Sequence, residues 1–353
     1  RKRSRITKDC PKWKICRGRR SQERDQELQN IAKLENMQRE KILTDTKNAM
    51  NQTKQVANEI HGFVIIDKPA GMTSHDVVHQ IRKLANTKKV GHAGTLDPDA
   101  TGVLVVGLGK ATRLLTFIVS DNKTYQATIR LGQSRTTDDA QGEIIETNNC
   151  ENISEELIKS ELNKFIGDIQ QIPSSVSAIK VDGKRAYDLV RQGEKVELSP
   201  RAVHISAIDV HEIKKIEEFI DVAITVHCSS GTYIRALARD LGNNLEVGGH
   251  LTSLRRTQSG QWPITKAQKL TDLKPGNLPI ISMAQVATSI FPSVTIGLAE
   301  TEDFVHGRSV RIAHTPADIL AVIDKTPTLI ALAHGDGVML KPNVVFANGA
   351  TGV

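Results

Sequence analysis

Hydrophobic residues along the chain fall into three textures. Up to residue 58 they are sparse. Ile31, Leu34, Met37, Ile42 and Leu43 make a weak helical stripe in a segment rich in Gln, Asn, Glu and Lys. Such a stripe cannot bury a core, so residues 1–58 read as a basic, polar, disordered extension. From His61 the spacing becomes regular. Phe63–Ile66 predicts a buried strand ending in a Pro-Gly turn, and Ser74 predicts the N-cap of a helix with apolar positions Val77, Val78, Ile81, Leu84 and Ala85. A glycine-rich loop, VGHAGTLDPDATG, leads into the apolar run Val103–Leu108. Alternation predicts strands at Tyr125–Leu131, Val203–Val210 and Asp221–His227. Helical spacing recurs over Ser154–Ile166 and at Ile234, Leu237, Ala238, Leu241 and Leu245.

Around Pro275–Pro292 the breakers PGNLP and FPS predict a loop. Beyond it, short strand-like runs at Ile319–Ile323, Thr328–Ala331, Val338–Leu340 and Asn343–Phe346 predict a small β-rich domain. Strands and helices mix without strict alternation, which predicts a mixed central sheet in an α+β (mixed α/β) fold.

Charge changes the picture less than its total suggests. The chain has 353 residues and a net charge of +7, but residues 1–60 hold 16 Lys and Arg against 8 Asp and Glu. The rest holds 31 against 32, so net charge by itself argues no nucleic-acid partner for the body of the protein. No stretch approaches 18 uninterrupted apolar residues, and the start carries no apolar secretion signal. Four scattered cysteines without a CxxC pair argue against a disulfide framework or zinc site, and the expected setting is cytoplasmic. The first residue is not Met, and Met50, just ahead of the first strand, is a sensible translation start.

The densest candidate for chemistry is Gly91–Gly102, which packs His92, Asp97 and Asp99 among glycines. A P-loop fails because Gly109–Lys110 is followed by Ala111, and a calcium loop fails because Leu108 stands where its last carboxylate belongs. No GxSxG elbow exists. What remains is Asp97, stiffened by Pro98, either bracing a turn or serving as a poised carboxylate. A second cluster is Ser229–Gly242, where Tyr233 and Arg235 open an amphipathic helix. Arg235 is either a solvated surface group or the partner of a carboxylate from another loop. Tyr125 is either a core aromatic or a functional one. Lys88–Lys89 and Arg255–Arg256 are candidate phosphate-binding patches.

Five stretches, GFVIIDKPAGMTSHDVV (62–78), KVGHAGTLDPDATGVLVVGLGKATR (89–113), KTYQATIRLGQSRTTDDAQGEI (123–144), QIPSSVSAIKVDGKRAYDLVRQGE (171–194) and CSSGTYIRALARDLG (228–242), closely resemble the TruB family of tRNA pseudouridine synthases. The resemblance is strong over about 62–265 and weaker toward the C-terminus. It implies a pseudouridine-synthase fold at 59–275, with an RNA-arm insertion at 165–200, and a small PUA-like RNA-binding domain at 294–353. By position it implies that Asp97 is the catalytic aspartate. Tyr125 is then the tyrosine that stacks on the target base and acts as a base late in the reaction, and Arg235 the arginine that pairs with the aspartate. His92 is implied to hold the substrate arm open, Tyr233 and Leu254 to line the uridine pocket, and Lys68, with Pro69, to support it.

The implied reaction isomerises uridine to pseudouridine in the T-loop of tRNA, at tRNA position 55. The implied enzyme is a cytoplasmic monomer that binds the T-arm stem-loop and uses no guide RNA, cofactor or metal. The other readings are a pseudouridine synthase for another RNA, a tRNA-folding chaperone, or a hydrolase using Asp97.

Overall fold

The computed structural model describes residues 40–41, 60–119, 122–174, 198–313 and 315–347, and the backbone of 180–181 and 184–185. The chain separates into Arg1–Glu59 and Ile60–Val353. The expected disorder of 1–58 lies outside the described residues apart from 40–41, as does most of the second half of the 165–200 insertion.

Within Ile60–Val353 the chain begins with β1 (Gly62–Lys68), α1 (Ser74–Leu84), β2 (Val90–Ala93) and β3 (Thr101–Leu108). A 3-10 turn at Gly109–Leu114 leads into α2 (Leu115–Val119), then β4 (Lys123–Leu131) and the hairpin β5 (Gln133–Arg135) and β6 (Ile144–Thr147). Next come α3 (Glu155–Asn163), β7 (Gly167–Gln171) and the two-residue strands β8 (Lys180–Val181) and β9 (Lys184–Arg185). A long hairpin, β10 (Arg201–Ile216) and β11 (Phe219–Cys228), precedes α4 (Ile234–Asn244), β12 (Gly249–Ser259), β13 (Trp262–Pro263) and β14 (Gln268–Lys269). The C-terminal part holds α5 (Met283–Ile290), β15 (Ser293–Thr295), α6 (Leu298–Val305), β16 (Val310–Arg311), β17 (Ala317–Ile323), β18 (Leu329–Gly335) and β19 (Met339–Val345).

The main sheet has the order β14-β1-β3-β12-β4-β11-β10-β7, with β2 on β3 and β13 on β12. It is mixed, as the sequence pattern predicts. The β1–β3 and β12–β4–β11–β10 pairings are antiparallel, and β3–β12 is a short parallel contact at Arg255↔Thr101 and Arg256↔Gly102. Alternation on β4 and β11 sends Tyr125, Ala127, Ile129, Val222, Ile224 and Val226 to one face, where Leu237, Ala238 and Leu241 of α4 complete a core. The C-terminal sheet runs β15-β17-β18-β19-β16.

Three local expectations are corrected. The N-cap of α1 is Thr73, not Ser74. Thr73 Oγ1 accepts from the Asp76 amide at 3.1 Å, and the Asp76 carboxylate accepts from the Thr73 amide at 2.9 Å, a reciprocal capping box. The stretch expected to be a loop at Pro275–Pro292 contains α5, capped the same way by Ser282 and Gln285. The β-rich tail contains the unexpected helix α6.

Candidate active site

The loop 94–100 between β2 and β3 carries Asp97 and is pinned on both sides of it. Ser74 Oγ accepts from the Leu96 amide at 2.9 Å and donates to the Leu96 carbonyl at 3.1 Å. Lys68, at the end of β1 and fully buried, donates to the carbonyls of Pro69, Met72 and Pro98. Those three contacts occupy all three ammonium hydrogens, so Lys68 braces the loop from behind. Farther back, Arg256 donates to the carbonyls of Gly94 at 2.9 Å and Val103 at 2.7 Å. Its backbone runs so close to β3 that a Cβ on Gly102, at φ 104°, would collide with the Arg256 carbonyl.

Arg235 occupies the first turn of α4, and its side chain is only 7% exposed. The solvated alternative for this arginine is therefore excluded, because this turn is buried all round rather than on one stripe. Its Nε stands 3.0 Å from Asp97 Oδ2, its Nη1 stands 3.4 Å from Asp139 Oδ2, and Nη1 donates to the Thr137 carbonyl at 3.1 Å. Asp139 is itself held, because its Oδ1 accepts from Thr137 Oγ1 and from the Gln141 amide at 3.1 Å. One guanidinium thus joins two carboxylates from separate loops.

Desolvation pushes the Asp97 carboxyl above the ordinary carboxylate range, Arg235 and Lys68 pull it down, and Asp139 adds to the rise; the net direction is upward. Arg235 therefore favours the ionised form against its surroundings. Burial likewise raises the Tyr125 phenol, against the pull of Arg256, so Tyr125 is neutral near pH 7. His92 is pushed down to about 4 by burial and by the nearby His75 and Arg256, which leaves a neutral imidazole. The His75 ring meets it edge-on, with centroids 5.4 Å apart.

Two clefts flank the Asp97–Arg235 pair. One, of about 530 Å³, is lined by Asp97, Tyr125, Tyr233, Arg235, Leu254 and Arg256, with Lys123 and Arg201 also contributing. The other, of about 520 Å³, shares Asp97, Arg235 and Leu254 and adds Asp99, Thr137, Asp139, Thr252 and Ser253. The structure therefore brings together Asp97, Tyr125, Arg235, Tyr233 and Leu254. His92 lines neither cleft, and Lys68 supports from behind. Among the described residues no three His, Cys, Asp or Glu side chains are grouped to hold a metal ion.

The Arg255–Arg256 phosphate patch is overturned. Arg255 pairs with Asp67 at 2.8 Å, and Arg256 is 1% exposed, lying opposite Tyr125 in the β4–β12 register. Strand alternation carried the signal, since neighbouring residues on a strand face opposite ways. Lys88 and Lys89 are exposed. Asp139, inside the 123–144 stretch, also belongs to the site, although nothing in its local pattern marks it.

Residues 82–234 match the model of the TruB family pseudouridylate synthase N-terminal domain, and 235–278 that of the tRNA pseudouridylate synthase B C-terminal domain. The tRNA pseudouridine synthase B of Paenarthrobacter aurescens (strain TC1) is 49% identical over 300 residues, covering 82% of this chain and 96% of the relative. That of Mycobacterium sp. (strain KMS) is 47% identical over 290 residues, covering 82% and 97%. Among solved structures, a chain of a Cbf5-Nop10-Gar1 complex superposes with a TM-score of 0.61 at 28% identity, covering 81% of this chain and 85% of that one. A chain of an H/ACA RNP bound to a substrate RNA containing 2'-deoxyuridine gives 0.61 at 26%, covering 82% and 86%. The family models meet at the junction between Tyr233–Ile234 and Arg235, so the paired carboxylate and guanidinium come one from each matched region, and the chain belongs to the TruB family of pseudouridylate synthases.

Proposed function

We propose that the cleft isomerises a tRNA uridine to pseudouridine, acting on the T-loop uridine at tRNA position 55 without a guide RNA, with Asp97 as the catalytic carboxylate. The observation that carries the reading is the Asp97–Arg235 pair at 3.0 Å in a cleft that also holds Tyr125, Tyr233 and Leu254. The relatives named tRNA pseudouridine synthase B support the substrate.

The reaction breaks the C1′–N1 bond, turns the uracil and joins C1′ to C5; the C5 proton is lost and N1 gains one. Atoms and electrons balance within the nucleotide, so the chemistry asked of the protein is placement and proton handling. Attack by the carboxylate at C1′ and removal of the C2′ proton both use an ionised Asp97 oxygen beside the ribose, and Arg235 holds that oxygen in place. Tyr125, buried and neutral, offers a stacking face worth roughly 1–3 kcal/mol to an extruded base. That offsets the few kcal/mol of unstacking. Neutral His92 suits contact with an RNA base better than with a phosphate.

The same reading takes 59–275 as the catalytic part, 165–200 as the RNA-arm insertion and 294–353 as a PUA-like RNA-binding domain. It takes the enzyme as a cytoplasmic monomer engaging the T-arm stem-loop; no helix among the described residues is long and apolar enough to cross a membrane.

The test maps pseudouridine at single-nucleotide resolution on an unmodified tRNA transcript, using wild type and Asp97→Asn in parallel. Product at the T-loop uridine from wild type alone is expected, with tRNA binding nearly unchanged in the variant. A folded wild type that binds tRNA and makes no product would replace the proposal with a folding chaperone or an enzyme for another RNA.

A further inference from the structure

The strand β7 ends on Gln171, which is 2% exposed. Its side-chain amide grips the backbone of Tyr233 from both sides: Oε1 accepts from the Tyr233 amide at 2.8 Å, and Nε2 donates to the Tyr233 carbonyl at 3.0 Å. Tyr233 is the N-cap residue of α4 and makes no side-chain capping bond, so an amide from another element stands beside the start of this helix. Two opposed hydrogen bonds fix orientation as well as distance. The next residue continues the grip one turn along, because the Ile172 carbonyl accepts from Arg239 Nη2 at 2.7 Å. Arg239 Nη1 then reaches Asp138 at 3.2 Å, beside the Asp139 that shares Arg235 with Asp97.

We propose that Gln171 is a positioning residue for the isomerisation: by clamping Tyr233 it sets where the first turn of α4 holds Arg235 against Asp97. The inference rests on the roles proposed above for Asp97 and Arg235. Gln171 lines neither cleft, so it acts through α4. A shift of α4 by a fraction of an ångström would lengthen the 3.0 Å contact that favours the ionised carboxylate. Misplacement on the scale of 1 Å costs catalysis on the order of 100-fold.

The test uses the full chain and single-turnover kinetics on a tRNA transcript between pH 5 and 9. It compares wild type, Gln171→Met, Gln171→Asn, Arg235→Ala, Asp97→Asn and the double variant of Gln171→Met with Arg235→Ala. Methionine keeps the buried volume and removes both hydrogen bonds. The reaction amplitude reports the folded fraction, and the rate constant reports positioning. Gln171→Met is expected to slow the rate constant by about 10- to 100-fold while changing tRNA affinity less than about twofold. The acid limb of its pH profile moves to higher pH, because Asp97 keeps Lys68, Asp139 and Tyr125 around it while the guanidinium that favours its ionised form stands farther away. In the Arg235→Ala background the same substitution adds less than about twofold, as expected for residues acting through one contact.

An unchanged rate constant and limb would overturn the proposal, as would a loss confined to the amplitude or full additivity in the double variant. Wild-type rates in Asp97→Asn or Arg235→Ala would instead overturn the catalytic reading on which it stands. Intact Gln171→Asn activity would also overturn it, since the shorter side chain cannot make both bonds.

Discussion

Lys68 shows how one buried charge is set by what surrounds it. Burial lowers its pKa from 10.5 to about 8, although Asp99 and Asp97 pull upward. Between those two pH values the unfolded chain holds more protons than the folded one. The contribution of Lys68 to stability therefore rises with pH across that window. Activity should move the other way. Above pH 8 the neutral amine has two hydrogens for three carbonyls, so the tether to Pro98 at 2.8 Å weakens and positive charge beside Asp97 is lost. The pH–rate profile is expected to fall with a midpoint near 8, and Lys68→Met should be slower and lack that limb. A limb that persists in Lys68→Met would assign it to another group. Lys68 was legible in sequence only through family resemblance. Nothing in its spacing shows that the ammonium faces three carbonyls rather than an RNA phosphate.

At the scale of elements, neighbouring hydroxyls at the start of α1 do different work. Thr73 caps the helix, whereas Ser74 faces inward and ties α1 to the loop carrying Asp97. Thr73→Ala should cost about 1 kcal/mol of stability and leave the rate constant alone. Ser74→Ala leaves the buried Leu96 amide and carbonyl without that hydroxyl, costing about 1–3 kcal/mol, and should also slow the reaction by loosening Asp97. Thermal melts beside single-turnover rates separate the two; equal rates in both variants would remove Ser74 from loop placement. Local pattern places a cap at this helix start but favours the wrong hydroxyl, because serine is the commoner capping residue and only burial shows that Ser74 faces inward. Strands β4 and β11 were legible because alternation is their whole signal. Helix α5 was not, because prolines at both flanks outweighed eight residues of helical spacing. The Asp97–Arg235 contact is invisible to local pattern, since only the β3–β12–β4 pairing and the docking of α4 bring the Asp97 loop and the first turn of α4 together.

Across the whole molecule, the two ends should tolerate loss very differently. The C-terminal sheet shares one apolar cluster with the main sheet, in which Phe63, Ile65, Trp262 and Val286 meet Leu329, Leu332 and Phe346. Arg113 also donates to the Val345 carbonyl at 2.7 Å, and Lys110 to that of Phe346. Ending the chain at Pro292 would uncover that cluster, so the shortened protein should aggregate or melt well below wild type. The first 60 residues carry 16 basic and 8 acidic side chains, while the remainder is balanced at 31 against 32. Any contribution of this end to RNA affinity is therefore largely phosphate attraction, which salt screens. Deleting residues 1–49 should leave the rate constant at saturating tRNA unchanged, weaken binding at low salt, and flatten the slope of log affinity against log salt. Filter binding and single-turnover rates across a salt series read all three. A lower rate constant at saturation would make this end part of the catalytic unit, and an unchanged slope would mean that its charges do not reach the RNA.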